Sequence, residues 1–498
     1  MRDAVLEAET HTGCVEEAVM PWGFDEAYRS WRDAQADWAA APVGWRLRVL
    51  KSARHGIARQ AEAFAAAISS ELARTSADTM VAEVLPLLEA CRFLEREAEN
   101  ILEVSRLGRR GLPFWLAGVR SEVQRVALGK VLVIGPANYP LFLPGVQTLQ
   151  GLVAGNAVVW KPGRGGKAVA DLFAKALYAA GLPVALLRVT DESVAAGDAE
   201  LGVGADKVFF TGSAVTGRAV MKRLAATATP CVMELSGCDA VVVLPSADLG
   251  RVVAALAFGM RLNGSATCMA PRRVFLVEAT VERRERLIGM LLTQLDWVGG
   301  VRLAEPVCTE FHRLVAGAAA MGAVIHGELD EAQQPILVTN ATQQMEIAKS
   351  DLFAPVLMVM DSSSEAEALA AIATCPYGLT AAVFGAEGEA RVLAGKMAVG
   401  TVLVNDLIVP TADPRVPFGG RRGSGFGVTR GAEGLLEMTA VKVVSVRRGR
   451  SVRHFEATTA RHAGLFGGLI AASHAGSWME RLRGVKRLVT AARRLKDK

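Results

Sequence analysis

The residue with the clearest chemical potential is Cys268, which lies in the segment NGSATCMAPRR after the apolar, helix-like run VVAALAFGM. A thiolate is the nucleophilic form of cysteine, and helix ends or neighbouring cations lower the pKa of a thiol. Arg272 and Arg273 follow closely and are candidates for such cations. Cys268 is therefore a candidate nucleophile, although most isolated cysteines are small buried residues without a chemical role.

Two further polar residues follow predicted strands. Glu234 ends the run CVMEL (231–235), where a carboxylate could activate a water molecule, and Asn138 in IGPANYP could donate its amide to a developing oxyanion. The alternatives are a solvated glutamate at a strand end and an ordinary turn asparagine. Neither residue identifies a reaction by itself.

A glycine pair and a lysine could bind a nucleotide. FFTGSAVTG (209–217) places Gly212 and Gly217 around a predicted helix N-terminus, where free backbone N–H groups can face a pyrophosphate. The spacing differs from the six-residue GxGxxG pattern. Lys161 ends the run AVVWK and could reach a ribose, although a lysine at a strand end is usually only solvated.

These residues must be positioned by alternating strands and helices. Helical spacing of apolar residues extends from about 25 to 105, and two series of short apolar runs follow it. The first series is 131–135, 157–161, 186–190, 207–212 and 231–235; the second is 241–244, 272–277, 356–360, 379–385 and 400–405. Such runs predict parallel sheets covered by helices, with ligands beyond the carboxyl ends of the strands. The sequence thus predicts an α/β protein with two such domains.

Composition is consistent with this architecture. The chain has 498 residues, of which 51% are hydrophobic, so two or three domains are expected. Seven cysteines without a CxxC pair indicate reduced thiols and a reducing compartment. The first residues, MRDAVLEAETHTGC, lack the apolar run of a secretory signal, which favours a cytoplasmic location.

Taken together and in order, these segments resemble the aldehyde dehydrogenase superfamily over about residues 25–445. The similar motifs are GPANYP (135–140), AGNAVVWKP (154–162), FTGSAVTG (210–217), ELSG (234–237), Cys268 between Asn263 and Arg273, DLFAPV (351–356), YGL (377–379), GTV (400–402) with Asn405, and PFGG (417–420) with Ser424-Gly425. Four positions depart from the family pattern: Asp351 replaces a glutamate, Ser265-Ala266 replaces Gly-Gln, and Cys238 replaces a lysine. None of them removes a catalytic group.

The resemblance implies the aldehyde dehydrogenase fold and oxidation of an aldehyde to a carboxylic acid. Cys268 would attack the aldehyde carbonyl, and the Asn138 amide with the Cys268 backbone N–H would hold the oxyanion. Glu234 would then activate the water that hydrolyses the thioester. Relatives that transfer the acyl group to coenzyme A commonly lack this glutamate, so hydrolysis is favoured.

The same resemblance implies NAD or NADP as cofactor and no metal. The residues expected to bind the cofactor are Ile134, Pro136, Lys161, Arg164, Gly212, Ser213, Gly217, Leu235, Asp351 and Phe353. Many relatives that prefer NAD have a glutamate where this chain has Arg164, and a guanidinium suits the 2′-phosphate of NADP. We therefore expect NADP to be accepted, unless Arg164 faces solvent. The aldehyde itself is not defined by these residues.

Domain boundaries follow from the family pattern. We expect a cofactor-binding domain at 1–114 and 127–236, a catalytic domain at 237–435, oligomerisation strands at 115–126 and 436–446, and a C-terminal extension at 447–498. The strands predict a homodimer or homotetramer.

The extension is basic, with 13 Lys or Arg and 3 Asp or Glu. AGLFGGLIAA (463–472) is too short to span a bilayer, and the residues after it predict a basic amphipathic helix. One hypothesis is attachment of residues 463–498 to an anionic membrane, on its inner face, with a fatty or isoprenoid-type aldehyde as substrate. The alternatives are docking on another subunit and a disordered tail. Nucleic-acid binding is not expected, because no aromatic platform accompanies the charge.

Two other functions stay open from the sequence. One is a coenzyme A-acylating aldehyde dehydrogenase, which Glu234 disfavours. The other is a non-catalytic binding or structural protein on the same scaffold, because fold alone does not fix function. The presence of Cys268, Glu234 and Asn138 argues against the second.

Overall fold

The computed structural model describes residues 30–68, 72, 74–296, 298–330, 333–448, 455 and 457–496. The helices are α1 (Trp31–Ala40), α2 (Val43–Arg59), α3 (Ala61–Ala66), α4 (Ser76–Thr79), α5 (Leu85–Leu102), α6 (Phe142–Val153), α7 (Lys167–Ala179), α8 (Val194–Val203), α9 (Ala214–Ala225), α10 (Leu249–Arg261), α11 (Val281–Leu295), α12 (Glu305–Ala320), α13 (Glu365–Ala373), α14 (Glu387–Ala394), α15 (Gly431–Glu437), α16 (Ala463–His474) and α17 (Trp478–Lys496). The N-terminal segment used to judge a secretory signal lies outside the described residues.

The strands are short and most are buried. They are β1 (Ser105–Arg106), β2 (Val119–Ala127), β3 (Lys130–Ile134), β4 (Ala157–Lys161), β5 (Leu187–Val189), β6 (Lys207–Thr211), β7 (Cys231–Glu234), β8 (Asp239–Val243), β9 (Pro271–Val277), β10 (Val324–His326), β11 (Ile336–Thr339), β12 (Val356–Ser362), β13 (Tyr377–Gly378), β14 (Thr380–Phe384), β15 (Thr401–Val404), β16 (Arg421–Arg422), β17 (Gly425–Phe426) and β18 (Thr439–Arg447). All ten strands predicted from the apolar runs are present.

The predicted N-terminal helical region is confirmed from Trp31 onward. Helix α5 buries Leu87, Cys91, Leu94 and Ala98 along one face, which is the helical spacing expected of an amphipathic segment. Between α4 and α5 the chain forms a π-helical turn over Met80–Val84. Such turns are rare and occur frequently at functional sites.

The first large sheet has six strands in the order β17-β7-β6-β3-β4-β5. Strands β3 to β7 are parallel, and every position of β3 and β4 is buried, as expected for a sheet covered on both faces. The short strand β17 pairs antiparallel with β7, so that Gly425 lies opposite Glu234. The sequence did not predict β17, because two residues carry no periodicity.

The second large sheet has seven strands in the order β10-β11-β12-β9-β8-β14-β15. It is parallel except for β10, which pairs antiparallel with β11 at one edge. Strands β10 and β11 were not predicted. The two sheets confirm the predicted α/β architecture with two sheet domains.

Residue contacts divide the chain into two compact units, one formed by Met1–Ser105 with Val123–Lys442 and the other by Arg106–Glu122 with Val443–Lys498. A three-stranded sheet has the order β1-β2-β18, so β18 is an edge strand. Its Val441, Val443 and Val446 are exposed. The domain boundaries expected from the sequence remain a prediction.

The C-terminal extension contains a helical hairpin of α16 and α17. A Cβ atom added at Gly468 would lie 2.4 Å from the Leu488 nitrogen, and one at Gly484 would lie 2.3 Å from the Ala472 nitrogen. The two helices are therefore in backbone contact, which only glycine permits at these positions. In the described part of the chain, no helix is both long and apolar enough to cross a membrane.

Candidate active site

A cavity of about 730 Å³ lies at the carboxyl ends of β3, β6 and β7. It brings together nine residues that the sequence singled out: Pro136, Asn138, Gly212, Ser213, Glu234, Leu235, Cys268, Asp351 and Phe353. The position agrees with the expectation that ligands bind beyond the carboxyl ends of parallel strands. All three candidate catalytic residues therefore share one space.

Cys268 reaches the cavity through an unusual turn between α10 and β9. Asn263, Gly264 and Ser265 all have positive φ values, of 54°, 56° and 65°, which turn the chain sharply after the helix. Gly237 then allows the Cys268 loop to approach, because a Cβ atom at position 237 would lie 2.2 Å from the Cys268 carbonyl oxygen. A side chain at residue 237 would therefore displace the candidate nucleophile.

The side chain of Asn138 is oriented by the same loop. Its Nδ2 donates to the Ala266 carbonyl at 2.8 Å, and the Asn263 Nδ2 donates to the Asn138 carbonyl at 3.0 Å. The Tyr139 hydroxyl lies 2.9 Å from the Thr267 Oγ1. These bonds join the Asn138 segment to the Cys268 segment and fix the amide relative to the thiol.

A buried ion pair supports the Asn138 segment from the other side. Glu83, in the π-helical turn, is fully buried and lies 2.8 Å from Arg74. Its Oε2 accepts the backbone N–H groups of Leu141 and Phe142 at 3.1 and 2.7 Å. The charged oxygen thus caps the start of α6, where a negative group is favourable. Breaking a buried pair of this kind by removing one partner is strongly destabilising.

Glu234 is buried at the end of β7, with 5% of its surface exposed. It accepts hydrogen bonds from the hydroxyls of Thr211 and Thr429, at 3.1 and 3.2 Å, and from the Gln147 amide at 3.5 Å. Burial raises its pKa, and nearby Arg430 and the two threonine hydroxyls oppose that change only in part. A carboxylate with a raised pKa is a better acceptor for a proton from water.

Arg430, rather than the candidates Arg272 and Arg273, is the cation that acts most strongly on Cys268. Arg272 donates to the Ser265 carbonyl at 2.6 Å, and Arg273 donates to the Cys238 carbonyl at 2.7 Å, so both are used in holding backbone.

The surroundings of Cys268 favour the protonated thiol. Burial raises the pKa of Cys268, and the carboxylates of Glu234, Asp239 and Asp351 raise it further. Arg430 is the cation that lowers this pKa. The site therefore makes loss of the thiol proton harder than it is in a free cysteine.

The cofactor side of the cavity is built around α9. Ser213 caps this helix by accepting the Thr216 backbone N–H at 3.2 Å, which leaves a helix N-terminus facing the cavity at Gly212 and Ser213. Gly217 allows close packing, because a Cβ atom there would lie 2.5 Å from Leu235 Cδ2. Burial raises the pKa of Asp351, and the nearby Ser236 hydroxyl, Arg272 and Gly237 backbone N–H oppose that change.

Comparison with known proteins decides the family. The family model "Aldehyde dehydrogenase family" matches residues 20–444. This chain belongs to the aldehyde dehydrogenase family. It is 30% identical over 427 residues to the 4,4'-diapolycopene aldehyde oxidase of a Methylomonas species, covering 82% of this chain and 78% of that relative. It is 28% identical over 457 residues to the betaine aldehyde dehydrogenase of Agrobacterium fabrum, covering 87% and 90%.

Solved structures agree on the fold. The aldehyde dehydrogenase of Mycobacterium tuberculosis complexed with NAD+ superposes with a TM-score of 0.75 at 24% identity, covering 85% of this chain and 92% of that chain. The betaine aldehyde dehydrogenase of Staphylococcus aureus superposes with a TM-score of 0.77 at 22% identity, covering 86% and 90%. The predicted aldehyde dehydrogenase fold and enzyme class are therefore confirmed.

Four residues expected to bind the cofactor do not line the cavity of this aldehyde dehydrogenase. Ile134 and Lys161 are buried at the ends of β3 and β4, Gly217 lies inside α9, and Arg164 is exposed in the turn after β4. Burial lowers the pKa of Lys161. All four lie in or next to the strands of the six-stranded sheet, but outside the lining of the cavity.

Several residues of the site were missed from the sequence. Thr211, Thr429 and Gln147 contact Glu234, and Arg430 lines the cavity beside it. Thr211 adjoins the recognised FTGS motif and could have been found from the strand end that it occupies. The other three come together only in the folded chain, and nothing in their local sequence indicates a role.

Proposed function

We propose that this aldehyde dehydrogenase oxidises a long, apolar aldehyde, of the fatty or isoprenoid type, to the carboxylic acid. The observation that carries the proposal is the lining of the cavity outside the catalytic residues. Most of the surface of that lining is apolar, and its apolar side chains include Phe142, Leu143, Phe258, Leu262, Met269, Pro306, Val307, Ile408 and Phe418. Burial of apolar surface contributes about 0.8 kcal/mol per methylene group, so such walls favour a hydrocarbon chain.

The apolar lining continues to the protein surface. Val81, Leu85 and Val409 also line the cavity, and they are 65%, 51% and 56% exposed. Large exposed apolar side chains around an opening mark a binding surface more often than scattered ones do. A substrate longer than the cavity can therefore stay in apolar contact where it leaves the site. The relative named for diapolycopene aldehyde supports this substrate class.

Charged groups at the cavity give less support to a cationic substrate. Asp78, Glu89 and Glu310 are acidic lining residues. Glu89 pairs with Arg92 at 3.1 Å, and Glu310 pairs with Arg313 at 2.7 Å. Glu89 has a cation of its own, whereas Arg313 is shared between Glu310 and Glu346. The apolar walls, rather than these charges, are what favour an apolar substrate over a quaternary ammonium group.

The three catalytic residues have the arrangement that the reaction needs. The Cys268 thiolate adds to the aldehyde carbon, while the Asn138 amide and the Cys268 backbone N–H hold the oxyanion. When bound, the nicotinamide cofactor supplies the hydride acceptor. The Asn138 amide has a second N–H besides the one bonded to Ala266, and that hydrogen is available to the substrate oxygen.

Glu234 supports a hydrolytic second step rather than acyl transfer to coenzyme A. Its carboxylate lies in the same cavity as Cys268 and is held by two threonine hydroxyls. It takes a proton from the water that attacks the thioester, which releases the acid and the free thiol. The same group has no role in a non-catalytic protein.

The cofactor is NAD or NADP, and the chain offers a fitting cradle. The N-terminus of α9 at Gly212 and Ser213 suits the pyrophosphate, and Asp351, with Phe353 beside it, suits the nicotinamide ribose. Lys161 ends β4 and Arg164 follows that strand; both suit the adenosine end, with Arg164 favouring the 2′-phosphate of NADP. No residue of this set requires a metal.

Two surfaces outside the cavity complete the proposal. The exposed valines of edge strand β18 support a homodimer or homotetramer formed through that strand. The hairpin of α16 and α17 supports peripheral attachment to an anionic membrane, because exposed apolar residues lie beside exposed cations. The apolar residues are Phe466, Ile470, Trp478, Leu482, Val485 and Val489; the cations are Arg481, Arg483, Lys486, Arg487, Arg493 and Arg494.

A substrate panel tests the main proposal. NADH or NADPH production is measured with saturated aldehydes of increasing length, a polyene aldehyde, benzaldehyde, succinate semialdehyde and betaine aldehyde, with Cys268→Ala as the control. We expect kcat/KM to rise up to about fourfold per methylene until the cavity is full. A value that does not rise with chain length, or that is highest for betaine aldehyde, contradicts the proposed substrate class. Turnover by the Cys268→Ala variant contradicts the mechanism.

A further inference from the structure

Arg430 is a buried cation at the catalytic end of the cavity. It precedes α15, has a φ value of 61°, and exposes only 4% of its surface. The neighbouring Thr429 donates a hydrogen bond to Glu234, and Arg430 lines the same cavity as Glu234 and Cys268. Strained backbone conformations of this kind cluster at functional sites.

The contacts of Arg430 hold its charge without neutralising it. Its Nη1 donates to the Thr411 carbonyl at 2.5 Å, and the guanidinium carbon lies 4.4 Å from the ring centre of Phe418 and 5.6 Å from that of Phe142. Within the described ranges, its Nε has no hydrogen-bond partner and no carboxylate forms an ion pair with it. Two aromatic faces and a carbonyl oxygen stabilise a buried guanidinium, but less strongly than an ion pair with a carboxylate would.

We propose that Arg430 is a positioning residue that supplies the positive charge facing both the Cys268 thiolate and the Glu234 carboxylate. The residue acts through these two groups. An ion pair with a third residue would cancel the charge, so its absence is what the role requires.

The electrostatics of the site agree with this assignment. The charged groups that act on Cys268 are Glu234 from β7, Asp239 from β8, Asp351 from the loop before β12, and Arg430. The three carboxylates raise the pKa of the thiol, and Arg430 lowers it. Arg430 also lowers the pKa of Glu234. One cation therefore opposes the rise in pKa that burial causes in both reacting groups.

The test is the pH dependence of Cys268 alkylation by iodoacetamide, measured on the full-length enzyme and located by peptide mass spectrometry. Arg430→Met is expected to slow alkylation of Cys268 about tenfold at neutral pH, equivalent to a rise of about one unit in the midpoint. Arg430→Gln keeps a donor for the Thr411 carbonyl and removes the same charge, so it is expected to behave alike. A profile that matches the wild type in either folded variant overturns the proposal.

Two controls separate charge from structure. Arg46→Met removes another buried arginine, in α2, and is expected to lower stability without moving the alkylation midpoint. Asp239→Asn removes a carboxylate whose pKa burial raises to about 7, and is expected to speed alkylation at alkaline pH, the opposite sign. A slower reaction in Asp239→Asn contradicts the electrostatic explanation.

The inference rests on the nucleophilic role proposed for Cys268 but not on the identity of the aldehyde, because alkylation needs no substrate. If Cys268 fails to react with iodoacetamide at any pH, the proposed mechanism fails. If Cys268 reacts with a midpoint that is indifferent to Arg430, only the present inference fails.

Discussion

The catalytic end of the cavity and the C-terminal hairpin place charge in opposite ways. In the cavity, Glu234 and Arg430 are almost fully buried, at 5% and 4% exposure, and apolar walls surround them. In the hairpin, the cations are exposed and apolar residues such as Trp478, at 73% exposure, lie on the surface beside them. Burial is what distinguishes the two regions.

This difference separates a candidate site for chemistry from a candidate binding surface. A buried charge has its pKa changed by desolvation and by a few neighbours, so that its reactivity can be set. An exposed charge is surrounded by water and acts mainly by attracting opposite charges, an effect that salt screens. Exposed apolar residues next to such charges indicate a further contact.

The largest expected effect comes from removing the buried carboxylate. Glu234→Gln is expected to lower steady-state turnover about 10²- to 10³-fold while leaving a first burst of NADH or NADPH, because the carboxylate is proposed to act on the water that hydrolyses the thioester, after hydride transfer. Rapid mixing with a saturating aldehyde measures both phases. In the wild type, the hydrolytic rate is expected to rise with pH through the raised pKa of Glu234.

The matched control is Glu200 of α8, which is also buried but forms an ion pair with Arg188 at 2.6 Å. Glu200→Gln is expected to keep both phases. Loss of the burst together with turnover in Glu234→Gln would show that the carboxylate acts before the thioester forms.

A smaller effect is expected from the exposed charges of the hairpin. Arg483→Gln with Lys486→Gln is expected to weaken binding to anionic vesicles roughly 30-fold, from about 1 kcal/mol per basic residue at such a surface. Sedimentation with vesicles of phosphatidylserine and phosphatidylcholine measures it. The matched control removes two exposed body charges, Arg251→Gln with Arg286→Gln, and is expected to have no effect.

Equal sedimentation of the wild type, both variants and a chain ending at residue 446 contradicts membrane attachment. In that case the exposed apolar residues of the hairpin would have a protein partner, and the loss of a larger assembly on truncation would identify a second copy. Sedimentation with neutral vesicles alone would contradict the role of charge.

The smallest effect is expected at Arg164, because this residue is exposed. Arg164→Glu is expected to raise the ratio of the NADP+ KM to the NAD+ KM by about fivefold, within the range of exposed ion pairs. Arg164→Gln is expected to give a change between that of the glutamate variant and the wild type. An unchanged ratio in both variants would show that Arg164 only faces solvent.

The sequence predicted what depends on local pattern. All ten strands found from apolar runs are present, and Cys268, Glu234 and Asn138 share a cavity because each follows or approaches the carboxyl edge of a strand. Continuous apolar runs are a strong signal for strands that are covered on both faces. Position along the sheet edge then follows from the topology.

What the sequence did not provide depends on distant contacts. Arg430 meets Phe142 and Thr411, which are far from it in the chain, so no local window shows its role. Arg272 and Arg273 are close to Cys268 in sequence, yet they donate to backbone carbonyls. Closeness in sequence therefore did not identify the cation that most lowers the pKa of Cys268. Only the tertiary structure shows which residue it is.

The π-helical turn links the shape of the cavity opening to the position of the catalytic amide. Val81 and Leu85 contact the apolar end of the cavity, while Glu83 between them holds the segment that carries Asn138. Substitutions in this turn that widen the opening are therefore also expected to displace the Asn138 amide, which is proposed to hold the oxyanion. Val409 lines the same opening from the separate turn Val409–Ala412, in which the Thr411 carbonyl accepts from Arg430. Substitutions there are therefore expected to affect Arg430 rather than Asn138.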